Sequence, residues 1–367
     1  MRRFHFVLFA LVLLVAQPLL AKTYYAGTCK TGAYPTIGAA VAAVPAGSTI
    51  DVCPGTYPEQ VVITQPLTLK GIAGGAAAVV TVPAGGLTQF DSTWEPVYYQ
   101  ILVQTTGPVN ISNLAIDGTG GTVPESTDDL AGIYFLNSSG TISDASIRNQ
   151  IVPSPGYGMG ILAIVTQSTP VQKVSVLSSV LRDSDFGVFA QQAFDTYYQP
   201  GVLTLNIGSS TIRSDGYTGV AIRGDMSGLI QTNLISGTNP GLSLSDSAVT
   251  ATTNTISAGT ANSFSTAYYL ISVQGGTNTI KSNKLDVAGG DYGIYLAGNT
   301  AGSLIQSNTV ANTQTGITGC GGASGYTVTR NTIIDANVGL SMPSGNTATP
   351  NTFYDVGATT ASCSDSK

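Results

Sequence analysis

Ile280-Lys281-Ser282-Asn283-Lys284-Leu285, Ile305-Gln306-Ser307-Asn308-Thr309-Val310 and Val328-Thr329-Arg330-Asn331-Thr332-Ile333 are one phrase written three times. An apolar residue is followed by small or polar residues that include Asn, and then by another apolar residue. Earlier copies are Ile111-Ser112-Asn113-Leu114-Ala115-Ile116 and Ile230-Gln231-Thr232-Asn233-Leu234-Ile235. A second phrase follows after a short gap: Gly, apolar, any residue, apolar. It reads Gly132-Ile133-Tyr134-Phe135, Gly187-Val188-Phe189-Ala190, Gly219-Val220-Ala221-Ile222, Gly241-Leu242-Ser243-Leu244, Gly293-Ile294-Tyr295-Leu296 and Gly339-Leu340-Ser341-Met342. The asparagines Asn233, Asn254, Asn283, Asn308 and Asn331 are 21, 29, 25 and 23 residues apart.

Each unit therefore holds two or three very short strands with alternating inward apolar residues. One unit cannot enclose a core, but stacked units can, each strand pairing with its equivalent one rung away. The spacing predicts an all-β chain: a right-handed parallel β-helix of roughly ten rungs. A β-propeller is the competing fold, but its repeats are longer, about 40–45 residues. The recurring Asn is expected at a turn, its amide stacked on the next Asn or bonded to local backbone. The recurring Gly is expected to supply a positive φ or a tight bend.

Composition agrees. Of 367 residues only 9% are charged, against roughly a quarter in an average globular protein, and Gly is plentiful at 44. That disfavours helical bundles, coiled coils and charged disordered tails. The net charge of −6 becomes more negative once Arg2 and Arg3 are removed with a leader, leaving no basic footprint for nucleic acid. The one histidine, His5, lies in that leader, so a Ser-His-Asp triad, a Cys-His pair and an imidazole metal site are excluded from the remainder.

Residues 1–21 have a basic start, an apolar run from Phe6 to Val15 and a small residue, Ala21, at the end, the pattern of a secretory signal peptide. A single β-helix domain over 22–367 is expected, secreted to an extracellular or periplasmic space, monomeric and without a membrane span. Export permits disulfides, and the four cysteines allow three pairings. Cys29–Cys53 and Cys320–Cys363, each stapling one end, are favoured.

Ahead of the repeats, Thr36-Ile37-Gly38-Ala39-Ala40-Val41-Ala42-Ala43-Val44 places Ile37, Val41 and Val44 at helical spacing behind Thr36 as cap. A short N-terminal helix would cover the open end of the column. The stretch Tyr34 to Gly71, with Gly47-Ser48-Thr49-Ile50, Pro54-Gly55-Thr56-Tyr57-Pro58-Glu59 and Leu67-Thr68-Leu69-Lys70-Gly71, resembles the opening of the pectin-lyase-like β-helix superfamily. It is most similar to pectinesterases and to bacterial right-handed β-helix repeat proteins. The resemblance implies the fold. It does not carry esterase activity: of the Gly-x-x-Asp-Phe-Ile-Phe-Gly segment only Ser184-Asp185-Phe186-Gly187 remains, and Leu-Gly-Arg-Pro-Trp is missing, Trp94 lying too early. Gln191-Gln192-Ala193 also follows that fragment where the family order is reversed. The clustered Asp and Gly-His-Gly of polygalacturonases are likewise unmatched, with Gly224-Asp225 alone. Pectate-lyase-like chemistry, with Ca²⁺ on carboxylates and Arg as base, needs no histidine.

One charged constellation emerges. Arg148, Arg182 and Arg213 each follow the last apolar residue of the same phrase, so stacking would place them in a column about 5 Å apart. Asp183, Asp185 and Asp215 come next, and Arg223 and Asp225 lie on the following strand. The candidate catalytic residues are Arg182, Asp183, Asp185, Arg213 and Asp215. Arg148, Arg223, Asp225, Tyr157, Tyr198 and Tyr217 are candidates for substrate binding, with Tyr197 beside them. In that reading Arg binds a uronate carboxylate while Asp holds Ca²⁺ or transfers protons. The bland alternative is a self-neutralising salt-bridge ladder. A second cluster, Glu125, Asp128 and Asp129, reads as a solvated turn or a Ca²⁺ loop. The functional expectation is a protein that binds, and in one version cleaves by lyase- or hydrolase-type chemistry, an acidic extracellular polysaccharide. The alternative is a non-catalytic surface or envelope protein.

Overall fold

Thr232, Thr253, Ser282, Ser307 and Arg330, each immediately before a recurring asparagine, have φ values of 54° to 58°. One left-handed residue turns the chain sharply, and the next begins a new strand. In the computed structural model, which describes residues 22–363 apart from 92–95, 126, 154, 167–170, 193–201, 215, 238, 259–267 and 301, this corner recurs along the molecule. Residues 1–21, expected to be a signal peptide, and Trp94, Tyr197, Tyr198 and Asp215 lie outside the described residues.

Three strands make each rung, and the rungs stack in parallel register as a right-handed parallel β-helix. The first face is a sheet of twelve strands running from Thr23–Ala26 to Thr327–Thr329. There Ile230 pairs with Ala251, then Ile280, Ile305 and Val328. On the second face, beyond the corner, Ile235 pairs in turn with Ile256, Leu285, Val310 and Ile333. On the third face Val220 leads to Leu242, Ile271, Ile294, Ile317 and Leu340. These side chains converge on one interior column, nearly all at 0% exposure.

The glycines of the second phrase have a different role from the expected one. Gly132, Gly187, Gly219, Gly293 and Gly339 do not have positive φ. They stand where neighbouring rungs approach too closely for a side chain: a Cβ on Gly219 would lie 2.6 Å from Gly241 O and 2.7 Å from Ile235 Cγ2.

The N-terminal end is closed by the helix Ile37–Ala43, whose Ile37, Ala40 and Val41 are buried on the column. Thr36 Oγ1 accepts from Ala39 N at 3.0 Å, and the Glu59 carboxylate accepts from Ile37 N and Gly38 N at 2.8 Å each. Gln65 Nε2 donates to Val41 O and Val44 O at the other helix end. Disulfides join Cys29 to Cys53 and Cys320 to Cys363. Among the described residues no helix is long and apolar enough to cross a membrane.

Candidate functional site

Arg148, Arg182 and Arg213 end three successive second-face strands and are direct register partners, with Asp117 completing the column one rung earlier. Arg148 is paired with Asp117, its Nη2 2.8 Å and its Nε 2.9 Å from Oδ2. Arg182 forms an ion pair with Asp183, the next residue. Asp117 is partly buried, which raises its pKa, but hydrogen bonds from Thr119 and Asn149 and the charge of Arg148 outweigh this and hold it near 2. The column is thus interleaved with acids at the corner between the second and third faces. Asp117 occupies the Arg position of its own phrase, Ala115-Ile116-Asp117, which is how the sequence announces it.

A pocket opens around the corner, on the outside of the third face. An outward-facing strand position should be polar, yet Tyr134, Leu162 and Phe189 occupy one such column. The strands Asp129–Leu136, Gly158–Val165 and Phe186–Gln192 are buried at every position. Their outward residues form a second apolar cluster, separate from the interior column, with Val97, Met159, Ile164 and Phe186. This cluster surrounds a cavity of about 230 Å³ whose polar lining comes from Asp129, Tyr134, Tyr157, Gln191 and Arg223. The Arg223 guanidinium lies over the Phe189 ring, 5.1 Å from its centroid. Tyr157 stands edge-on to Phe186 and Tyr217, at 5.3 and 5.0 Å, and Phe186 and Tyr217 stack at 5.8 Å.

Asp129 Oδ1 accepts from Tyr157 N at 2.9 Å, which fixes the carboxylate at the pocket edge. Asp185 Oδ2 accepts from the next amide, Gly158 N, at 2.7 Å. Asp185 also binds through its backbone: its carbonyl accepts from Tyr217 N, Thr218 N and Ser214 Oγ. It ties together the loops bearing Tyr157 and Tyr217 and lies behind the aromatic wall. Burial raises its pKa to about 6 against the opposing effect of hydrogen bonds from Gly158 and Val152.

The sequence candidates therefore separate. Arg223 and Tyr157 line the pocket, and Tyr217 backs it. Asp225 is exposed beyond Arg223, its backbone N–H donating to Gln192 Oε1 at 3.1 Å. Arg148, Arg182, Asp183 and Arg213 belong to the neighbouring corner, and Asp215 and Tyr198 lie outside the described residues. Asp129, read from the sequence only as one of a Ca²⁺-type cluster, faces the cavity, while Asp128 Oδ2 accepts from Glu125 N. Among the described residues no group of three or more His, Cys, Asp or Glu side chains could hold a metal ion. Tyr134, Phe186, Phe189 and Gln191 were hidden because their phrases looked like ordinary core; the signal was the failure of alternation.

The family model for a right handed beta helix region matches residues 198–355. No curated protein sequence matches the chain. Among solved structures, the GH136 lacto-N-biosidase from Eubacterium ramulus, in its selenomethionine derivative, superposes with a TM-score of 0.67 at 11% identity, over 91% of this chain and 68% of that one. The native form of that protein gives a TM-score of 0.60 at 12% identity with the same coverage. DFA-IIIase from Arthrobacter chlorophenolicus A6, in complex with GF2, gives 0.51 at 17% identity, over 85% of this chain and 94% of that one.

Proposed function

We propose that this chain, a right-handed parallel β-helix of pectin-lyase-like architecture, is an exported carbohydrate-active protein that holds a glycan in the third-face pocket. The pocket carries the reading: aromatic faces suit the C–H faces of a sugar ring, while one carboxylate, one amide and one guanidinium fix its hydroxyls. Arg223, steadied over Phe189, is the donor for a sugar hydroxyl or a single carboxylate. Asp129 is the described carboxylate lining the cavity and is assigned proton transfer in glycosidic cleavage. The lacto-N-biosidase, a glycoside hydrolase by its name, supports a carbohydrate ligand for this architecture. The two disulfides support export to the extracellular or periplasmic space.

The test is binding and product analysis on a glycan panel with purified protein. Arg223→Ala should weaken binding by roughly tenfold or more, the loss of one charge-assisted hydrogen bond. Asp129→Asn should abolish product formation while binding persists. Unchanged binding by Arg223→Ala would overturn the site.

The structural alternative has its own observation: from Leu242 onward the outward column of the third face includes neutral Ser243, Ser272, Thr318 and Ser341. Binding without any product from the parent protein would favour that non-catalytic reading.

A further inference from the structure

We propose that the third face carries a second sugar platform built from Tyr269, Tyr292 and Tyr295, so that the ligand is an extended, largely neutral glycan lying along the solenoid axis. This rests on the carbohydrate reading of the pocket and adds its length and charge. Parallel register makes the column explicit: Phe189, Ala221, Ser243, Ser272 and Tyr295 succeed one another on adjacent rungs. Two aromatic residues bracket three small ones. Four steps of ~4.8 Å separate Phe189 from Tyr295 by ~19 Å, beyond the reach of a ligand confined to the pocket.

At the far end Tyr269 and Tyr295 stack with centroids 5.3 Å apart and planes at 22°, and Tyr292 tilts against Tyr295 at 6.2 Å. All three rings are only half-buried. The adjacent outward column, Gln191, Arg223, Ser245 and Gln274, runs beside the small residues and supplies hydrogen-bonding groups rung after rung. Arg223 is the one cation in these two stretches. A polyuronate carries a carboxylate on every unit and would meet one guanidinium, with Asp129 nearby in the pocket. Ala221 and Ser272 are buried beneath this path, and a neutral chain meets the accessible groups of Arg223, Ser243, Ser245 and Gln274, with aromatic rings at both ends.

The experiment is calorimetric titration of the mature protein with cello-, xylo- and galacto-oligosaccharides from dimers to octamers, and with oligogalacturonates of matched length. Affinity for a neutral series should rise at least tenfold between dimer and hexamer. Tyr295→Ser, which installs the residue this column carries on the two preceding rungs, should remove that rise and leave dimer affinity unchanged. Tyr292→Ser provides the same comparison should Tyr295→Ser fail to fold. Short oligomers binding in an Arg223-dependent manner without gain in length, or a rise that survives Tyr295→Ser, would overturn the platform while leaving the pocket reading intact. Tighter binding of oligogalacturonates than of every neutral chain of equal length would overturn the charge assignment. No sugar binding at all would remove both readings.

Discussion

A methyl group on Gly187 would stand 2.4 Å from Ile212 Cγ2 and 2.6 Å from Gly219 O. One contact is a core side chain and the other is backbone of the next rung, so neither can retreat without moving a strand. Gly187→Ala is therefore expected to cost roughly 1–3 kcal/mol, as overpacking of a close-packed interior does, read as a lower urea midpoint with unchanged m-value. Recurrence made this glycine visible in the sequence. Its cause was not, because a backbone approach between residues 32 positions apart has no local signature. Asp185 gives a prediction in pH. Its folded pKa of about 6 lies above the ordinary 3.8, so the folded state holds the proton more tightly than the unfolded chain. Stability should fall as pH rises from about 4 to about 6 and then stay level, by up to about 3 kcal/mol from this group. Asp185→Asn retains an acceptor for Gly158 N and removes the charge. Urea denaturation should show the variant gaining on the parent between pH 4.5 and 7.5; a parallel pair of profiles would refute the assignment. Asp117 has the opposite sign: held near 2, it stabilises above about pH 4, and that contribution is lost as pH falls through 2.

The asparagine corner is the element that repeats most regularly. Asn283 Oδ1 accepts from both Asn254 N and Asn254 Nδ2, at 3.0 and 2.9 Å. Its own Nδ2 donates to Ala251 O and to Asn308 Oδ1, at 2.9 and 3.0 Å. Every hydrogen-bonding site of the amide is used, and the side chain is 1% exposed. The same links join Asn233, Asn254, Asn283, Asn308, Asn331 and Asn351. Nearer the N-terminus serine takes over: Ser179 Oγ accepts from Ala145 N, and Ser210 Oγ from Ser179 N. Asn283→Ala would leave Asn254 N, Asn254 Nδ2 and Ala251 O without these partners. At about 1–3 kcal/mol for each buried unsatisfied group, partly relieved by water, a loss of several kcal/mol is expected. Asn283→Asp should also destabilise, since a carboxylate cannot donate to Ala251 O. Thermal melting of the two variants checks both expectations; a melting point within a degree of the parent would sink the ladder's importance. The ladder was legible because one residue type serves at six successive rungs, from Asn233 to Asn351. The pocket was not, because it is made once, from different residues on five rungs, and its outward aromatics read as core in any single phrase.

Across the whole molecule, the interior column extends from the helix Ile37–Ala43 to the rung containing Phe353, and its two ends differ. The N-terminal end has an amphipathic helix over it, which Thr36 and the spacing of Ile37, Val41 and Val44 already indicated. The last strand, Thr352–Ala361, is largely exposed, and Cys363 just beyond it is tied back to Cys320. In a solenoid each rung contacts only its neighbours, so stability is distributed and loss begins at an end. The Cys320–Cys363 bridge closes a separation of 43 residues, worth about 4 kcal/mol in the chain-entropy account. Replacing both cysteines by serine should therefore loosen the final rungs and leave the pocket rungs alone. Hydrogen exchange is the measurement: amides of 332–361 should lose protection, while those of 129–136, 158–165 and 186–192 keep theirs. Glycan affinity should be unchanged in the same variant, since neither the pocket residues nor Tyr269, Tyr292 and Tyr295 lie within those last rungs. Uniform loss of protection along the chain would mean that the molecule unfolds as one cooperative block, and the separation between the pocket rungs and the stapled final rungs would fail with it.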